Sequence, residues 1–99
     1  MQPENQAPIF PSPGGQQLKV GQQFRLIIRP RDPEGFAPIL HVQNSPAASI
    51  FEDRGDGSRE LIWTPQPDDV GDRYVRFVAI DYIDATLSSE LIIKLAVQP

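Results

Sequence analysis

Apolar and polar residues alternate with a period of two along most of this chain. From Gln23 to Arg29, Phe24, Leu26 and Ile28 fall on one side, and Arg25, Ile27 and Arg29 on the other. Successive strand side chains point to opposite faces, so this pattern predicts a strand with one apolar face. Pro30 and Pro33 end it, and Asp32-Pro-Glu-Gly35 supplies a turn. Ile39 to Gln43 predicts the next strand, with Leu40 and Val42 inward. Ile50-Phe51 reads as a brief strand. Glu60 to Thr64 reads as another, with Leu61 and Trp63 sharing a face. Between the last two lies Glu52-Asp-Arg-Gly-Asp-Gly-Ser58, a polar turn in which two glycines supply positive φ.

Arg73 to Asp81 carries the longest apolar alternation. Val75, Phe77 and Ala79 lie on one face, and Tyr74, Val78 and Ile80 on the other. Apolar residues on both faces predict a central strand with some cover on each side. Glu90 to Val97 closes the chain, with Leu91, Ile93, Leu95 and Val97 alternating inward. Lys19 to Gln22 suggests a short strand and turn. Residues 2–17, rich in Pro, Gln, Gly and Asn, read as a linker with Ile9-Phe10 as the first strand contact. No helical pattern of useful length and no internal repeat appears. About seven short strands divided by turn signals predict an all-β, Ig-like Greek-key β-sandwich over residues 18–99, preceded by a linker and edge segment at 1–17.

Composition narrows the functional classes. Ninety-nine residues make one domain, and eleven Pro with seven Gly fit short strands and turns. A chain without Cys has neither a disulfide nor thiol chemistry. The net charge of −4 argues against nucleic acid, which is held through basic patches. The nine Lys and Arg are scattered, and they read as a solvated sheet face. No apolar run approaches the ~18 residues of a membrane span. Residues 1–4 lack the basic start and apolar stretch of a signal peptide.

Candidate chemistry is sparse. Strand parity brings the turn at Asp32 and Glu34 to the same pole as the loop at Asp81 and Asp84. Four carboxylates at one end would supply part of the six to eight oxygens that calcium takes. The competing reading is that Asp and Glu cap and solvate turns. Arg54-Gly55-Asp56 matches a tripeptide that integrins bind, but its flanking strands and Gly57 fit a structural turn. His41, the single His, lies between Leu40 and Val42 and is expected to face solvent; no triad or metal set surrounds it in sequence. Trp63 alternates with Leu61 and is expected in the core. Tyr74 and Tyr82 would be the surface aromatics of a sugar-stacking face. A Lys–Asn isopeptide bond would need a buried Lys, and Lys94 alternates outward.

Several short motifs occur in an order that resembles the bacterial putative-Ig and dystroglycan-type cadherin-like domains of tandem-repeat surface proteins. They are Asn5-Gln-Ala-Pro8, Val20-Gly21-Gln22, Asp32-Pro-Glu-Gly35, Leu61-Ile-Trp-Thr-Pro65, Asp69-Val-Gly71, Ala79-Ile-Asp81 and Leu87-Ser-Ser89. The resemblance implies a Greek-key sandwich within a multidomain exported protein, with calcium at domain junctions. The metal ligands it implies would fall on Asp81, Asp32 and Glu34. The chain departs from the pattern in two places. It lacks the Leu-Asp-Arg-Glu segment that completes a full cadherin site. Two residues, Asp72 and Arg73, separate Gly71 from Tyr74, so Tyr74 faces away from the core unless a bulge absorbs the shift.

The expected role is therefore a non-catalytic module of a larger secreted or cell-surface protein, acting in adhesion, spacing or binding. Its expected partners are neighbouring domains of the same chain and a protein or polysaccharide ligand, without nucleic acid or membrane insertion. The alternative is a carbohydrate-binding accessory module of an extracellular enzyme. A cytosolic scaffold sandwich is a third possibility.

Overall fold

The computed structural model describes residues 7–11, 13–31 and 38–99. Seven strands and one short 3₁₀ turn follow in order: β1 (Gln16–Lys19), β2 (Phe24–Ile28), β3 (Ile39–Gln43), β4 (Ile50–Asp53), β5 (Arg59–Trp63), the 3₁₀ turn Pro67–Asp69, β6 (Gly71–Ile80) and β7 (Ser88–Gln98). They form two sheets, a four-stranded one ordered β1-β7-β6-β3 and a three-stranded one ordered β2-β5-β4. β1 runs parallel to β7, and every other strand pair is antiparallel. Strand pairing begins before residue 18, since β1 starts at Gln16 and Ile9 bridges Arg31. Among the described residues no helix is long and apolar enough to cross a membrane.

The core forms where the inward sets of the two sheets meet. Leu61 and Trp63 of β5 face Val75, Phe77 and Ala79 of β6 and Ile93, Leu95 and Val97 of β7; all are buried. Leu18, Ile28 and Leu40 complete the cluster, and the Phe51 ring tilts against Phe77 at 5.6 Å. Trp63 is thus a core residue, as its alternation with Leu61 predicts. Burying such side chains is the main favourable term in a domain without disulfides.

β6 differs from its expectation in one respect. It is central by pairing, held between β7 and β3. Only its Val75–Phe77–Ala79 face is covered by the second sheet. On the other face Tyr74 is 56% exposed, and Val78 and Ile80 are half-buried. Period-two apolarity on both faces of this strand reflects an open apolar surface rather than a second layer.

Register assigns the ends. Ile39 of β3 pairs with Ile80 of β6, and Asp53 of β4 pairs with Arg59 of β5. The Ser89 hydroxyl donates to the Pro8 carbonyl, and the Ile9–Arg31 bridge joins the same end. This N-terminal pole holds the chain's approach to the domain, the β4–β5 turn and the loop 81–87. The C-terminal pole holds the turn at residues 20–22, the 3₁₀ turn and the end of β7, where the Val20 amide donates to the Gln98 carbonyl at 2.9 Å.

Candidate functional site

Asp81 and Asp84, two acids of the N-terminal pole, build the loop that carries them. Asp81 follows β6 directly and is 1% exposed. Its Oδ2 accepts from the amides of Ile83 and Asp84, both at 2.9 Å, and its own amide donates to the Leu87 carbonyl at 2.8 Å. Asp84 repeats the device one turn later. Its Oδ1 accepts from the Thr86 amide at 3.0 Å and the Thr86 hydroxyl at 2.6 Å. The Thr86 hydroxyl, then the Thr86 amide, hold the Asp84 carboxyl below its ordinary pKa, against partial burial and the charge of Asp81. Carboxylates that accept local amides are the usual organisers of such turns.

Asp32 and Glu34, the other two acids expected at this pole, lie outside the described residues, as does Asn5. β2 does deliver Arg31 to this pole beside Ile9. Among the described residues no group of three or more His, Asp or Glu side chains comes together. Asp81 and Asp84 alone offer too few oxygens for calcium.

Arg54-Gly55-Asp56 forms the β4–β5 connection as a hydrogen-bonded turn. The Arg54 amide donates to the Ser58 carbonyl at 3.1 Å, and the Gly55 amide donates to Asp53 Oδ1 at 2.8 Å. Gly55 and Gly57 have φ of 80° and 87°, the left-handed region that the tight return requires. Asp56 Oδ1 accepts from both the amide and the hydroxyl of the fully buried Ser58. Asp56 Oδ2 meets Arg29, the residue after β2, at 2.7 Å. The Ser58 hydroxyl and then its amide lower the Asp56 pKa, and Arg29 and Arg54 add to the effect. The Asp56 carboxylate is committed to its own turn.

Two basic side chains occupy places that a solvated-face reading misses. Arg59 shares the inward parity of Leu61 and Trp63, and Arg73 that of Val75 and Phe77. Arg59 lies over the Phe51 ring at 4.2 Å and donates to the carbonyls of Phe51 at 2.7 Å and Leu40 at 3.2 Å. One guanidinium thus links β4 of one sheet to β3 of the other. Arg73 lies over Trp63 at 5.1 Å and reaches Asp69 at 3.4 Å. Parity alone would have found both residues.

The remaining candidates are dispersed. His41 is exposed on β3, and Lys19 and Lys94 are exposed as well. Tyr74 and Tyr82 are 56% and 65% exposed. Eight residues of near-extended chain separate them by about 25 Å, and the aromatic between them, Phe77, is buried on the opposite face. They do not form a continuous stacking row.

No family model matches the sequence, and no curated protein matches it. Solved structures do resemble it. The titin M3 domain superposes with a TM-score of 0.68 at 19% identity, covering 93% of this chain and 97% of that domain. The fold is immunoglobulin-like. The atomic-resolution titin M7 domain agrees, with a TM-score of 0.69 at 8% identity over 99% of this chain and all of that one. An endo-fucoidan hydrolase of glycoside hydrolase family 107, MfFcnA9, gives a TM-score of 0.78 at 19% identity over 97% of this chain. The chain spans only 14–17% of the fucoidan hydrolases it resembles. At these identities the structural likeness shows the Ig-like fold alone.

Proposed function

We propose that this chain is a non-catalytic Ig-like module of a larger secreted or cell-surface protein, acting as a spacer or adhesion unit. The observation that carries the proposal is the position of the chain's approach and exit. Pro8 is tied to Ser89 at one pole, and Gln98 is tied to Val20 at the other. A domain threaded from pole to pole adds its full length to a string of domains. One with both ends at the same pole would hang to the side. The order of the Pro65, Asp69-Val-Gly71 and Ala79-Ile-Asp81 motifs supports the bacterial cadherin-like form of this reading.

Two copies joined head to tail through their natural ends test it. Small-angle scattering should show a rod about twice as long as one copy, with both copies melting together with the single domain. A compact folded-back pair would reject the spacer role.

Calcium is the finer part of the proposal. It would require Asp32 and Glu34 to join Asp81 and Asp84, with a neighbouring domain completing the shell. Affinity should then be near the ~10⁻⁴–10⁻³ M of extracellular modules. Calcium, but not magnesium, should raise the melting temperature of the joined pair by a few degrees, and Asp84→Asn should abolish the rise. Equal effects of the two ions would reject a specific site.

The fucoidan hydrolases favour a second reading, an accessory module of a polysaccharide-acting enzyme, because an Ig-like domain forms part of those chains. Electrophoresis through a gel containing fucoidan separates the two readings. Retardation that Tyr74→Ala removes would support the accessory module, and unretarded migration would oppose it.

A further inference from the structure

The outer face of the four-stranded sheet is open and carries several exposed apolar residues. Its outward residues include Ile39 of β3, Tyr74, Val78 and Ile80 of β6, and Ile92 of β7. Ile39, Tyr74 and Ile92 are 47%, 56% and 55% exposed. Four charged side chains share the outward sides of β6 and β7, and they cancel. Lys94 Nζ meets Asp72 at 3.3 Å. Arg76 Nε meets Glu90 at 2.6 Å, and Arg76 Nη1 meets Gln43 at 2.7 Å. Lys19 at the β1 edge adds one positive charge to this face. The chain as a whole carries −4, so two copies repel least where this face, without net negative charge on β6 and β7, meets its counterpart.

Along β7 the outward order is Glu90, Ile92, Lys94, an acid and a base evenly spaced about an exposed apolar residue. A two-fold axis through Ile92, crossing the strands between two stacked sheets, reverses that order in the second copy. Ile92 then meets its own counterpart. Glu90 faces the partner's Lys94, and Lys94 faces the partner's Glu90. The same axis sets Tyr74 over the partner's Val78. It also brings the two Arg76 groups toward each other, but each guanidinium is already neutralised by Glu90 of its own chain. The outer face of the small sheet has no such pattern, since Glu52 stands opposite Glu60 across β4 and β5.

From this we infer that the chain forms a two-fold homodimer, sheet face on sheet face, centred on Ile92 and selected by reciprocal Glu90–Lys94 pairing. The strands spaced about 4.8 Å apart present an area of roughly 500 Å² per protomer. That lies below the ~800 Å² per partner of a standard stable interface and indicates a weak dimer. Weak pairing of this kind suits contact between many tethered copies, where linkage multiplies single affinities.

Charge exchange tests the pairing. Sedimentation equilibrium of the full chain should show a dissociation constant on the order of 10⁻⁴ M. E90K makes the β7 face doubly basic and K94E makes it doubly acidic. Each alone turns both reciprocal pairs into like-charge contacts and should weaken self-association at least about tenfold. An equimolar mixture of the two variants should associate as well as wild type. A short bis-maleimide supplies a second readout, because the chain has no Cys. I92C should crosslink to dimer, and I27C on the opposite sheet should not. A wild type that stays monomeric to ~1 mM, or single variants that fail to recover on mixing, would overturn the inference.

Discussion

Each end of this sandwich has an arginine lying on an aromatic ring, yet the two arginines are held differently. Arg59, toward the N-terminal pole, stacks on Phe51 and donates to carbonyls of both sheets. Arg73, toward the C-terminal pole, stacks on Trp63 and has one longer contact, to Asp69. Both bury an Nε without a hydrogen-bond partner among the described residues. Burying a guanidinium stabilises only when its donors are satisfied. The N-terminal arginine therefore joins the sheets by directed bonds, and the C-terminal one covers an indole. One end is built from polar contacts and the other from apolar burial.

The sharpest way to break this contrast is at the indole. Trp63 is 3% exposed and meets Phe24 across the β2–β5 ladder. Trp63→Ala should cost about 3–5 kcal/mol. That is a large part of the ~5–15 kcal/mol of an ordinary domain. Urea unfolding followed by circular dichroism measures it, and a loss below about 1 kcal/mol would show that the indole is not core.

The polar end should break next. Asp81→Ala leaves the amides of Ile83 and Asp84 without their acceptor beside a buried position, at a cost of about 2–4 kcal/mol. Asp81→Asn keeps an acceptor and should recover part of it. Arg59→Ala removes two hydrogen bonds and a cation–π contact, for about 2–3 kcal/mol. Arg73→Ala loses a partly exposed ion pair and its stacking, and about 1 kcal/mol is expected. The order Arg59 above Arg73 is the measurable claim, and a reversed order in denaturant titrations would refute the contrast.

The fold could be read from the sequence because burial follows parity. Phe24, Leu26 and Ile28, Leu40 and Val42, Leu61 and Trp63, and Leu91 to Val97 alternate as strands with one covered face must. β3 (Ile39–Gln43) lies where the alternation puts it. Strand ends were less legible: Asp53, Gly71 and Gln98 extend their strands by pairing with partners distant in sequence. Apolar residues on the outward side of β6 read as covered, because composition does not separate a covered face from an open one. Parity places Arg59 and Arg73 inward, whereas scattered charge alone suggests a solvated face. Asp81 stood out as a candidate, and its sequence position did not reveal that its carboxylate turns back onto its own loop.

The finest test separates two carboxylates within the polar end. Asp56 and Asp84 are both depressed below 3.8 by acceptance from a hydroxyl and an amide two residues on. A depressed folded pKa means that their turn contacts are fully present above the unfolded value and are lost as pH falls through the lower folded one. Amide signals of Ser58 and Thr86, followed by NMR, should therefore titrate with midpoints below 3.8. Their surroundings differ in sign. Arg29 and Arg54 lower the Asp56 pKa, whereas the charge of Asp81 raises that of Asp84. Salt screens both influences over a Debye length of about 10 Å at 0.1 M. Raising the ionic strength should move the Asp56 midpoint upward and the Asp84 midpoint downward. Midpoints that move together would show that hydroxyl and amide bonding alone governs both, and that Arg29 contributes geometry to the β4–β5 turn without contributing charge.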